Sequence, residues 1–289
     1  MSSPVTGETG CSRLSPFLAF GNLSIRQVVQ RSRDKLRQVR EDLQGGREVD
    51  RAWAQSLASF ESRLSWHCHF MQKLEDEPEL EFRNVNRAFD GLRENEFRED
   101  WFAAWQAGCT GYPMVDACMR ALHATGWINF RMRAMLMSFA AYHLWLHWRR
   151  PALHLAKLFT DYEPGIHYSQ CQMQSGVTGI NTIRIYSPAK QARDQDPTGE
   201  FIRRWIPELD SVPDEFLAEP QRMTVFQQSL FGCRIGRDYP APLVVHETAY
   251  RLARDRIHAA RSTGAARQQA AEVYEKHGSR RRPLADGNR

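Results

Sequence analysis

Apolar positions recur every three or four residues along much of this chain. From Ile25 to Leu43 they fall at Ile25, Val28, Val29, Leu36, Val39 and Leu43, a spacing that gathers side chains on one face of an α-helix. Ser24 offers that helix an N-cap, and Gly45 with Gly46 a stop. A second stripe runs through Trp53, Leu57, Phe60, Leu64, Met71 and Leu74 until EDEP ends it, which predicts an amphipathic core helix with Trp66 off the stripe. Pro113 opens a further helix that Gly126 breaks. The next segment, WINFRMRAMLMSFAAYHLWLHW, is apolar all round and predicts a helix buried on most sides.

The pattern then lapses. DYEPGIHYSQCQMQSGVTGINTIRIYSP, from Asp161 to Pro188, has no regular period and reads as a loop. A short helical run, GEFIRRWIPEL, and a helix from about Val244 to Ala260 follow, and the Gly- and Arg-containing polar end predicts a tail that frays. Strand signals are almost absent, so the expectation is all-α: one helical domain over 11–262, between a polar segment 1–10 and a basic, flexible tail 263–289.

Composition adds a partner class without deciding it. With 39 Lys plus Arg against 34 Asp plus Glu, the net charge is +5 and the pI about 9.0, which suits a polyanion such as DNA and equally a merely basic protein. The arginines Arg149, Arg150, Arg203 and Arg204 are candidates for phosphate contact. Six cysteines form no CxxC pair and no zinc spacing, as expected of reduced thiols. The first residues lack the basic and apolar parts of a signal peptide, and no run of about 18 apolar residues occurs. Both point to a cytoplasmic protein without a membrane span.

The nucleotide-cradling motifs GxxxxGK[ST] and GxGxxG are absent. HLWLH (His143, His147) and HCH (residues 67 to 69) lack the further ligands of a metal site and read as packing or surface histidines. His167 and Cys171 leave four readings open: metal ligands, a thiolate pair, cofactor contacts or ordinary loop residues. CSRLSPFLAFG is more specific. Ser12 and Ser15 bring hydroxyls to a helix start near Leu14, a place where backbone N–H groups hold phosphate.

That segment, followed in order by WQAGCTGYPMVDACMRALHATGWINFRMR, FTDYEP and DPTGEFIRRWIPEL, resembles the FAD-binding helical domain of the DNA photolyase and cryptochrome family from about Cys11 to Arg251. The resemblance implies FAD folded into a U shape, a cavity opening toward a basic, DNA-facing surface, and an N-terminal α/β antenna domain that is missing here. It places Ser12, Arg13, Leu14 and Ser15 at the FAD diphosphate, Arg133 and Asp161 beside the isoalloxazine ring, and Glu163 as a second acid nearby. Trp127 and Trp66 match tryptophans near the cofactor and cavity, and Trp148 the middle member of the family's electron relay.

By the same register His167 stands where an Asn usually faces flavin N5, and Cys171 and Met173 stand where two tryptophans are usual. Arg63, His67 and Phe130 also depart from a pyrimidine-dimer pocket. The implied activity is blue-light-driven electron transfer for repair of pyrimidine-dimer-type damage, a photolyase-type lyase, with Trp66, Trp148 and His167 as catalytic candidates. The alternative is a light- or redox-sensing cryptochrome that signals to a partner without repair.

Overall fold

The computed structural model describes residues 2–50 and 52–278, which fold into helices with no strand among them. Two short helices, α1 (Pro4–Gly10) and α2 (Ser15–Ala19), precede a long hairpin of α3 (Ile25–Gln44) and α4 (Ala52–Asp76). Then come α5 (Glu99–Ala107), α6 (Pro113–Thr125), α7 (Phe130–Ser138), α8 (Arg149–Leu158) and α9 (Pro164–Ser175). The chain continues through α10 (Pro188–Gln195), α11 (Glu200–Trp205), α12 (Asp214–Leu217) and α13 (Val225–Leu230), and ends in α14 (His246–Ser262) and α15 (Gly264–His277).

Local chemistry sets several of these boundaries as the sequence predicts. Ser24 and Gln27 close a reciprocal capping box at the start of α3. Pro113 stands at the first turn of α6, and Gly126, at φ +69°, ends it in the left-handed conformation that costs glycine nothing. The core is built on α6 and α7, where Met114, Met119, Leu122, Met132, Met135 and Leu136 are buried together with Trp105, Phe139 and Trp148. Each such side chain contributes roughly 1.5–3 kcal/mol by leaving water.

Three expectations fail here. The apolar run after Gly126 is not one helix: α7 passes at Ser138 into a π-helical turn, Phe139–His143, and the chain leaves helix before Trp145, whose φ is +51°. That left-handed residue costs about 1–2 kcal/mol. The Arg93 and Arg256 guanidinium groups lie 4.4 and 4.9 Å from the Trp145 ring and help to hold it. The stretch after Asp161 is not a loop but contains α9, described below. Nor does the chain fray after residue 262. Thr263 caps α15, Arg261 donates to the Gly179 and Asn181 carbonyls, Lys276 and His277 both pair with Glu77, and Val273 packs with Leu80 and Val85. The last residues of the expected tail, 279–289, lie outside the described residues.

Among the described residues no helix is long and apolar enough to cross a membrane.

Candidate functional site

Segment α9 begins where Glu163 accepts the Gly165 N–H at 3.1 Å and Pro164 supplies a first-turn residue that needs no donor. It ends at Gly176 in the left-handed region. Gly165 lets α9 approach α4, since a Cβ there would lie 2.7 Å from the Phe70 carbonyl oxygen. The helix escaped the apolar pattern because much of what it buries is polar. Gln172 is wholly buried, accepts the Val85 N–H at 2.7 Å and donates to the Leu80 and Arg83 carbonyls at 2.8 Å. Ser175 donates to Cys171 O at 2.7 Å.

One face of α9 closes a cavity of about 420 Å³ whose other walls come from the Cys11–Ser15 segment, α4, the start of α7, α8 and the Phe159–Glu163 turn. Trp127, Met137, Leu155, Phe159 and Ile166 give it apolar walls. At its floor Arg133 and Asp161 form a bidentate pair, Nη1 to Oδ1 at 2.9 Å and Nη2 to Oδ2 at 2.8 Å. Arg133 Nε donates to the Ile128 carbonyl at 2.8 Å, and the guanidinium lies 4.2 Å from the Phe159 ring centroid. Every edge of that charge pair is thereby positioned. A larger, more open groove of about 880 Å³ runs between α3 and α4; no buried ion pair lines it, and we assign the site to the smaller, better-built cavity.

Of the residues expected at a cofactor, the cavity gathers Ser12, Ser15, Trp127, Arg133, Asp161, Glu163, His167 and Cys171. Arg13 does not line it but stacks 3.9 Å over the Trp127 ring, in a left-handed backbone conformation (φ +54°). Leu14 faces the α3–α4 groove instead. Among the three catalytic candidates only His167 lines the cavity. Trp66 is 43% exposed on α4, against His69 and Phe70, and Trp148 is fully buried in the core, its indole N–H donating to Asn84 at 2.7 Å.

His167 and Cys171 lie one turn apart on α9. His167 Nε2 is 2.8 Å from the Ala152 carbonyl, so this nitrogen carries the proton and Nδ1 is left as an acceptor. Burial lowers the imidazole to about 4, with the nearby Arg133 adding to the effect. Burial pushes the Cys171 thiol far up, and its sulfur sits 3.7 Å from His167 Nε2. A neutral ring beside a protonated thiol is not a nucleophile with its base. No group of three or more metal-ligating side chains occurs among the described residues.

Sequence reasoning passed over Tyr162, Phe159 and Gln170, all cavity residues. Tyr162 follows Asp161 directly, which was a usable signal; Gln170 lies in the stretch read as a loop. The arginines proposed for phosphate contact are engaged internally: Arg150 with Glu99, Arg203 with Asp214 and two backbone carbonyls, Arg204 with Glu8 and Glu200, and Arg149 with the Glu81 carbonyl.

Residues 60–259 match the family model described as the FAD binding domain of DNA photolyase. The chain is 30% identical over 240 residues to a deoxyribodipyrimidine photo-lyase of Alkalihalophilus pseudofirmus, covering 82% of this chain and 47% of that protein. It is 33% identical over 258 residues to Cryptochrome-1 of Sinapis alba, covering 87% and 49%. A bacterial class III photolyase from Agrobacterium tumefaciens superposes with a TM-score of 0.77 at 27% identity, over 91% of this chain and 52% of that one. The chain thus spans about half the length of the curated relatives it matches.

Proposed function

Because the chain belongs to the DNA photolyase and cryptochrome family through its FAD-binding domain, we propose that it repairs pyrimidine-dimer-type DNA damage by light-driven electron transfer from FAD held in the cavity beneath α9. The observation that carries this reading is the bidentate pair of half-buried Arg133 with buried Asp161 on the wall of an otherwise apolar cavity. The residues present fit such a group. A flat aromatic ring system suits the walls formed by Trp127, Phe159 and Met137, and its polar edge suits the charge pair. The buried side-chain amide oxygen of Gln170, a cavity residue, has no hydrogen-bond partner among the described residues and can accept from a ligand. Ser12 and Ser15 bring hydroxyl donors for a diphosphate.

When bound, FAD supplies light absorption and a one-electron donor. The chain supplies the rest. Arg133, fixed by Asp161 and the Ile128 carbonyl, presents positive charge where negative charge accumulates, at no cost of reorganisation. His167, neutral because of burial, presents an unprotonated Nδ1 and adds no charge to the cavity. The stacked Arg13 and Trp127 flank the cavity, and Arg63 on α4, exposed and without a carboxylate partner among the described residues, lines it beside Phe60. Phe60 also borders the groove along α3. That helix exposes Arg26, Arg31 and Arg40 without carboxylate partners among the described residues. These four arginines replace Arg149, Arg150, Arg203 and Arg204 as the proposed phosphate contacts.

The test is to purify the protein, record its absorption spectrum, and illuminate the reduced form with an oligonucleotide carrying a single dimer. A yellow protein that splits the dimer back to its two bases in light, with DNA affinity falling steeply as salt rises, is the expected result. Flavin retention without repair or salt-dependent binding would shift the assignment to the sensory alternative, which the internally paired arginines favour.

A further inference from the structure

We propose that Tyr162 and Tyr168, with Glu81 as proton acceptor, form the electron path between the cavity and Trp148, in place of an aromatic ring at position 171. The inference rests on the flavin reading above. Tyr162 lines the cavity. Its ring centroid is 6.3 Å from that of Tyr168, and Tyr168 is 6.4 Å from Trp148, both pairs edge to face. Three aromatic rings therefore run in unbroken contact from the cavity wall to the buried core, passing beside Cys171.

The hydrogen bonds of Tyr168 and Trp148 suit passing an electron onward. A phenol gives up an electron readily only if its proton has somewhere to go, and the Tyr168 hydroxyl donates to Glu81 Oε1 at 3.2 Å. Burial, the neighbouring Tyr162 and Glu81 all raise Tyr168, so the phenol keeps its proton until it is oxidised. At the inner end the Trp148 N–H donates to Asn84, whose amide donates to Asp90 at 2.8 Å. A carboxylate thus polarises the indole through one amide and favours positive charge on it. Cys171 offers no equivalent, because burial keeps its thiol protonated.

Tyr162, on the cavity wall, would give one electron to a light-excited oxidised flavin bound there. Tyr162 is refilled by one electron from Tyr168, whose hydroxyl proton passes to Glu81 as the neutral phenoxyl forms. Tyr168 is restored by one electron from Trp148 and by the same proton returning from Glu81. Trp148, fully buried and left one electron short, would be refilled across the protein from an external thiol at the surface, which gives up one electron, releases its proton to water and leaves as a thiyl radical.

The experiment uses the flavin-loaded protein under blue light with excess dithiothreitol, comparing wild type with Tyr162→Phe, Tyr168→Phe and Glu81→Gln. Phenylalanine keeps each ring's packing, and flavin content and thermal unfolding confirm that the variants fold. Each tyrosine variant is expected to slow flavin photoreduction at least tenfold, and Tyr162→Phe to brighten flavin fluorescence. Glu81→Gln is expected to remove the solvent deuterium effect on the rate. Samples frozen under illumination without the thiol should show an organic radical by electron paramagnetic resonance that is lost in both Tyr162→Phe and Tyr168→Phe. Unchanged rates in both tyrosine variants, or a radical signal that persists in them, overturn the path while leaving flavin binding intact. A protein that takes up no FAD overturns the flavin reading and the path together.

Discussion

Helices α6 and α9 are both largely buried, yet they are held by different forces. In α6 the buried positions are Pro113, Met114, Val115, Ala117, Cys118, Met119, Ala121 and Leu122, with one polar exception, Asp116. In α9 they are Gly165, His167, Tyr168, Ser169, Cys171, Gln172 and Ser175. The first helix is stabilised by apolar area removed from water, which is non-directional and tolerant of exchange between residues of similar volume. The second is stabilised by hydrogen bonds that are worth little net when made and much when broken. Rigid polar geometry is what a site needs: Gln172 and Ser175 fix α9 in place, and its His167, Gln170 and Cys171 line the candidate site.

The sharpest way to break this contrast is Gln172→Leu. It strands one N–H and two carbonyls in the interior and should cost on the order of 4 kcal/mol in chemical denaturation, whereas Met119→Leu in α6 should cost less than about 1.5 kcal/mol. Equal costs would remove the distinction. Next in size is Arg133→Ala, which leaves the buried Asp161 unpaired and should cost about 3 kcal/mol together with loss of bound flavin. Arg133→Lys should recover part of the stability but not the bidentate geometry, so calorimetry and flavin content should separate in that variant.

Acid should weaken the site in a definite direction. Burial lowers His167 to about 4, so between its ordinary value near 6.5 and that point the unfolded chain binds a proton that the folded one refuses. Stability contributed by the neutral ring is complete above about pH 6.5 and is lost as the pH falls, by roughly 2 kcal/mol at pH 5. His143, lowered by burial to about 3 and set 2.9 Å from His246, adds a loss of the same sign. His167→Asn should flatten the profile, and an unchanged slope would show that the ring is not buried as described. The smallest effect is chemical: Cys171 should stay unmodified by iodoacetamide in the folded protein while the exposed Cys68 reacts, as peptide mapping would show.

The legibility of the chain follows the same division. The Ser24 cap of α3, the existence of helix α4 and the Pro113 to Gly126 boundaries of α6 were visible because capping and apolar periodicity are local, near-neighbour effects, whereas the expected α4 stripe buries only Leu64 and leaves Trp53 exposed. Arg133, Asp161 and the Ser12 and Ser15 segment were visible as a motif in order and spacing, and they do meet at one cavity. The period of α9 was invisible, because a buried Gln or Ser looks like a loop residue until its partners, 87 to 92 residues away for Gln172, are in place. The break at Trp145 was likewise invisible, since the arginines over its ring lie far off in the chain.

By itself, then, the sequence determined an all-α chain and the ends of several helices, consequences of contacts within a few turns, and a family-specific set of polar residues legible from motif order and spacing. Only the tertiary structure decided that Trp66 and Trp148 stand away from the cavity, that four surface arginines are spent on internal partners, and that His167 and Cys171 share one neutral, buried helix face. The physical reason is that burial, pairing and protonation depend on which distant segments displace water from a side chain, and neighbours along the chain do not encode that.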